Sequence, residues 1–224
     1  LEKSMSNGLK VKKRDGRVQN IDLEKMHIMV DAACQGLAGV SASQVEIQSG
    51  IQFYDGITTA EIQEILIRSA SDLIDEEHPN YQFVAARLLL FGLRKQLFGL
   101  TWDHPTFYAQ ITRCVEEGVY DPEVLNNYTE EELNTIGEWI DHDRDLLFTY
   151  AGLRQVVDKY LVQDRSTGEV YETPQFMYMM IATTIFARYP KEFRLSYIRK
   201  YYNAISKHKI NIPTPIMGGV RTPL

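Results

Sequence analysis

The chain has 224 residues, 44% hydrophobic and 24% charged, with a formal net charge of -6. This is near the average of a globular protein and long enough for one large domain or two smaller ones. The acidic balance, without a basic stripe, argues against nucleic acid as the main partner, and no apolar run reaches the roughly 18–20 residues of a membrane span. Cys34 and Cys114 are the two cysteines. With no CxxC motif they suit neither a zinc ribbon nor a disulfide framework. They fit a reducing cytoplasm, each as a small buried hydrophobe.

Residues 1–10 are set aside as a disordered or added N-terminus. Val11 to Asn20 reads as two short strands around Arg14-Asp15-Gly16. Asp22 caps a helix whose face carries Leu23, Met26, Val30, Ala33 and Leu37, and Gly36 and Gly39 end it. A weaker helix covers about Ser43 to Ile51. Thr58 and Glu61 form a capping box for a helix with Ile62, Ile65, Leu66, Ser69, Leu73 and Ile74 on one face, stopped by Pro79. A fourth helix runs from near Asn80 to Leu97, with Gly99 behind it. Residues 11–100 therefore read as a strand cap on four helices, with a boundary near Gly99-Leu100-Thr101.

More helices follow. Thr129 and Glu132 form a second capping box. Residues 145–158 read as one helix, and Tyr160–Gln163 and Glu169–Glu172 as strands. Two long helices span roughly 174–188 and 190–207, the second with Pro190 at its start. The tail from Ile210 to Leu224 reads as an extended strand and loop with nothing to pack against, so the chain looks cut. The whole is mainly α with small β elements.

Lys12-Lys13-Arg14 beside the helix start at Asp22–Lys25 makes a candidate phosphate site, to which Lys25, Arg94 and Lys95 could add charge. The alternative is a solvated charged turn. Asp141-His142-Asp143-Arg144-Asp145 could ligate a metal or run acid–base chemistry, although neighbouring residues rarely point at one ion. A capping and Arg–Asp network is the plainer reading. Tyr178-Met179-Met180 and Tyr201-Tyr202 read as core. His27 reads as a packed or surface histidine rather than a ligand, and His78, His104 and His208 have no partner at ligand spacing. No GxGxxG, Walker A, HExxH or GxSxG motif occurs.

Several segments together resemble a known family. They are VKKRDGRVQNIDLEKMHIMVDAACQGL, IQFYDGITTAEIQEILIRSASDLI, NYQFVAARLLLFGLRK, IDHDRDLLFTYAGLRQ, KYLVQDRSTGEVYE and PTPIMGGVRTP. The chain resembles the N-terminal part of class I ribonucleotide reductase large subunits of the bacterial and phage type. The resemblance implies an ATP-cone over 11–100, a β-hairpin cap on a four-helix bundle. Over 101–224 it implies the helical N-terminal region of the reductase α/β barrel.

It also implies reduction of ribonucleoside diphosphates by a thiyl radical, controlled by ATP and dATP with their magnesium. Carried over residue by residue, the effector site would use Lys13, Arg14, Gln19, Asn20, Ile21, Asp22, Leu23, Glu24, Lys25, Thr59 and Lys95. Thr214 would meet substrate. The implied partners are the rest of the large subunit, a radical-generating small subunit holding the metal cofactor, a large-subunit oligomer, and thioredoxin or glutaredoxin. No metal would be bound by this chain itself.

Gln63 and Gly92 stand where strongly dATP-responsive relatives often carry histidine, and Gln19 replaces a carboxylate. The family's catalytic cysteines fall beyond Leu224, so the chain alone is expected to be inactive. Two rivals stay open. One is a free-standing ATP-cone regulator, although cone-bearing repressors carry a zinc ribbon that is missing here. The other is a small-molecule enzyme built on Asp141–Asp145.

Overall fold

A computed structural model describes residues 8–99, 103–209 and 212–223. The expected boundary at Leu100-Thr101 falls outside these residues, as do Ile210, Leu224 and most of the set-aside N-terminus. Contacts divide the chain into two compact units. One holds residues 1–92 with Phe148–Leu153, the other Leu93–Leu147 with Arg154–Leu224.

In the first unit, β1 (Lys10–Lys12) pairs antiparallel with β2 (Val18–Asn20) and parallel with β3 (Ile57–Thr58), in the order β2-β1-β3. The hairpin matches expectation. The third strand does not appear in the sequence reading, because two residues carry no alternation. Val11 and Ile57 lie opposite each other in register and are buried with Ile65. Ile21, Phe53 and Ile62 close this small core.

Two helices, α1 (Leu23–Cys34) and α2 (Ala42–Gly50), lie between β2 and β3, and α3 (Thr59–Asp72) follows β3. Asp22 caps α1, and Thr58 with Glu61 forms the expected capping box on α3. The third helix stops at Asp72, well before Pro79. Its end tightens through the Leu73 N–H bond to Ala70 O, and the Asp75 carboxylate then takes the His78 N–H. A fourth helix, α4 (Tyr81–Phe98), runs on through the division at Gly92–Leu93.

The second unit contains α5 (Phe107–Glu116), α6 (Glu123–Asn127) and α7 (Glu130–Glu138), the last with its capping box on Thr129. The single helix expected over 145–158 is two pieces. A 3-10 turn covers His142–Leu147, and α8 covers Tyr150–Lys159. The Thr149 hydroxyl accepts the Gly152 N–H, so a cap interrupts the periodic run. The strands are shorter than expected, β4 (Gln163–Asp164) and β5 (Glu169–Val170). Glu172 leaves the ladder because its carboxylate is used in the interior.

The long helices are α9 (Pro174–Ile185) and α10 (Lys191–Ser206). Residues Pro174 to Thr183 are all buried, which makes α9 the central helix of its unit and confirms Tyr178-Met179-Met180 as core. The tail also differs from expectation. Thr214–Gly219 forms a helix, α11, with Pro213 as N-cap and Pro215 in its first turn. Proline suits that position, since its absent N–H is an orphan there anyway. Nor is the tail unpacked, because Arg221 is 1% exposed.

Candidate functional site

The cations of the first hairpin are sorted by strand alternation. Val11 turns into the core, and Lys10 and Lys12 stand on the opposite, exposed face. Lys10 is engaged, its Nζ donating to Asn20 Oδ1 at 2.6 Å and its N–H to Asp55 Oδ1 at 2.7 Å. The turn closes by Lys13 N–H to Arg17 O at 2.8 Å and Gly16 N–H to Lys13 O at 3.0 Å. Gly16 adopts φ +85°, which a side chain would strain. Arg17 pairs with Asp15 at 2.6 Å, and its N–H and guanidinium hold that carboxyl below the usual range. Among the described residues no acid pairs with Lys12, Lys13 or Arg14.

Register places the candidate residues in two groups. Lys12 lies opposite Thr58, so half-buried Lys13 reaches the level of Thr59, the first residue of α3. Lys13, Arg14 and Thr59 thus gather at one end of the sheet. At the other end Asn20 lies opposite Lys10, and the chain turns through Ile21 into α1. There the Asp22 carboxylate accepts the Lys25 N–H at 3.1 Å, with Leu23, Glu24 and Lys25 in the first turn. Gln19, on the edge strand opposite Val11, lies between the groups. Three residues of strand separate the two ends, about 10 Å. Lys95 is exposed in the last turn of α4, past the division at Leu93.

One turn beyond Thr59, the Gln63 amide donates to Leu88 O of α4 at 2.6 Å. A Cβ at Gly92 would stand 3.0 Å from the Gln63 side chain. The two departures noted in the sequence are therefore one contact, the glycine making room for the glutamine.

In the second unit Thr214 opens α11, exposed, with its Oγ1 3.3 Å from the Tyr160 hydroxyl.

Residues 9–96 match the family described as ATP cone domain, and residues 146–224 match the ribonucleotide reductase all-alpha domain. Across 219 residues, 98% of the chain, it is 50% identical to the ribonucleoside-diphosphate reductase 1 subunit alpha of both Salmonella typhimurium and Escherichia coli. It is 48% identical to the subunit alpha of Haemophilus influenzae. The chain belongs to the ribonucleotide reductase large-subunit family. It spans 29% of the length of those three relatives.

In this reductase region the Asp141–Asp145 run does not form a metal centre. Asp141 and Asp143 are exposed while Asp145 is buried, so their carboxylates point apart, and no metal-ligating group of three gathers among the described residues. Asp145 Oδ1 accepts from Gln175 at 2.9 Å, and burial pushes its carboxyl up to about 7. Gln175 accepts from the Tyr202 hydroxyl at 2.5 Å, and that hydroxyl accepts the Asp141 N–H. Arg94, 4% exposed, donates to His142 O at 3.0 Å. His142 stacks on His104 with ring centroids 3.7 Å apart. Burial first, then neighbouring positive charge, depresses their imidazoles to about 3 and about 4. The two histidines are neutral packing groups, a pairing that 38 residues of separation hide in the sequence. His27 and His78 contact Glu46 and Asp75 on the surface.

Cys114 is buried, and Cys34 is half-buried rather than buried as expected. Burial raises the Cys34 thiol to about 11 and the Cys114 thiol to about 12, the opposite direction to an activated nucleophilic thiolate.

Proposed function

We propose that this chain is the effector-binding first part of a ribonucleoside-diphosphate reductase large subunit. Its first unit would bind ATP and dATP. The observation that carries this reading is the register that pairs Lys12 with Thr58, next to Lys13 and Thr59, at one sheet end and leaves Asn20–Lys25 at the other. A triphosphate with its magnesium suits the cationic Lys13–Arg14 end, where charge-assisted bonds and the α3 start favour an anion. The base and ribose suit the Asn20–Lys25 end, with Gln19 beside it, which offers amide, carboxylate and apolar groups. Lys95 is assigned to the same effector by the family resemblance.

In the complete enzyme a radical from a metal-containing small subunit would drive reduction at cysteines outside this chain, with thioredoxin or glutaredoxin restoring the thiols. Large-subunit oligomers in a cytoplasmic setting belong to the same reading. The match of residues 146–224 to a reductase domain supports it over a free-standing regulatory module.

Calorimetric titration with magnesium-ATP tests the site. Thr59→Val is expected to weaken binding, whereas Arg144→Ala should leave it unchanged. Arg144 is engaged with Asn203 and Ser206 in the second unit, so its loss should lower stability alone. Because ATP and dATP share the phosphate contacts, and neither Gln63 nor Gly92 supplies a protonated imidazole, the two affinities should agree within about tenfold. A hundredfold dATP preference contradicts this. Purified chain mixed with the radical subunit and a dithiol should yield no deoxynucleotide, and turnover above background overturns that expectation.

A further inference from the structure

Arg221 ties three parts of the second unit together. Its Nε donates to both Glu172 oxygens, at 2.9 and 3.1 Å, and both side chains are fully buried. Its Nη1 donates to Met217 O inside α11, and its Nη2 donates to Tyr160 O at 2.8 Å. Glu172 is fixed in turn by the Tyr120 hydroxyl at 2.5 Å and the Val162 N–H at 2.9 Å. A planar guanidinium offers its donors in a rigid fork, so the backbone at Tyr160 and the body of α11 are locked to one another. That lock sets the 3.3 Å approach of the Tyr160 hydroxyl to Thr214 Oγ1.

We propose that Tyr160 is a substrate-positioning residue acting through Thr214, with Arg221 as its anchor; this rests on the reading of Thr214 as a substrate contact. When the Tyr160 O–H donates to Thr214 Oγ1, the threonine proton is directed away from the tyrosine. It is then free to meet an acceptor oxygen of a nucleoside diphosphate. Without the tyrosine hydroxyl the threonine rotor has no fixed direction. Thr214 is exposed and Tyr160 half-buried, so the pair is open to a ligand on one side and braced on the other.

The test uses the complete large subunit with its radical-supplying partner, and reads KM and kcat for a ribonucleoside diphosphate. Tyr160→Phe is expected to raise KM about three- to tenfold with kcat within about twofold, the signature of lost binding rather than lost chemistry. Thr214→Val should raise KM at least as much. The double variant should match Thr214→Val alone, because the tyrosine acts only through the threonine. The unfolding midpoint of Tyr160→Phe should stay at the parent's, separating positioning from stability. Parent-like kinetics in Tyr160→Phe beside a raised KM in Thr214→Val, or additive effects, would overturn the proposal while sparing the Thr214 reading. An unchanged KM in Thr214→Val removes the reading itself.

Discussion

The two units use charge in opposite ways. In the first, no described charged side chain is fully buried, and the ion pair of Arg17 with Asp15 is 77% and 52% exposed. In the second, Arg94, Asp145, Glu172, Arg194 and Arg221 are buried. An exposed pair contributes little because water screens it. A buried charge instead demands partners, and its loss leaves the other member stranded. Cations that still reach solvent, such as half-buried Lys13, are therefore available to a ligand, whereas buried ones are committed to the fold.

The largest expected effect lies in the buried pair. Glu172→Ala strands the Arg221 guanidinium and should cost about 3–5 kcal/mol. Urea unfolding followed through Trp139 fluorescence reads this in the second unit. Asp15→Ala, removing the surface partner of Arg17, should cost under about 1 kcal/mol. Similar losses in both variants would break the contrast.

Acidity sharpens it further. Asp145 has a raised native pKa, so its contribution is fully present at low pH and is lost as pH rises from its unfolded value through about 7. His142 and His104 have depressed native pKa values, so the unfolded chain takes up their protons first and stability falls as pH drops below about 6.5. In the parent these trends oppose each other. Asp145→Asn removes the opposing one and should steepen the loss between pH 6 and 5 by about 1.4 kcal/mol per pH unit. Parallel pH profiles for parent and variant would show that Asp145 is ionised in the native state.

The smallest effect concerns the α3–α4 contact. Gly92→Ala alone should be near neutral, because a helix gain of about 1 kcal/mol is offset by displacing Gln63 from Leu88 O. In a Gln63→Ala background the same change should stabilise by about 1 kcal/mol. Equal effects in both backgrounds would separate the two residues.

Local signals were legible in the sequence. The Thr58–Glu61 and Thr129–Glu132 boxes and the Asp22 cap each place several cues within a few residues, and the helices start where those cues put them, although α1 and α3 end earlier than their apolar faces suggest. What escaped depends on distant partners. β3 is two residues long and exists only through β1. Nothing near Arg221 in the sequence marks it for burial, since its partner Glu172 lies 49 residues away. The tail looked extended because its prolines suggest a chain that cannot bond, yet Pro215 falls where a helix needs no donor. Of the candidate site, spacing alone marked the cationic hairpin and the α1 start. The level of Lys13 with Thr59 needed the third strand.

The proposed function assigns the hairpin cations to a ligand and leaves the buried ones to the fold. Lys13→Ala tests it most directly when one protein sample is read twice, by titration with magnesium-ATP and by urea unfolding. Loss of a charge-assisted phosphate contact is worth about 1.5–3 kcal/mol, so affinity should fall roughly 10–150-fold. Stability should stay within about 0.5 kcal/mol of the parent. ATP affinity equal to the parent's would contradict the account.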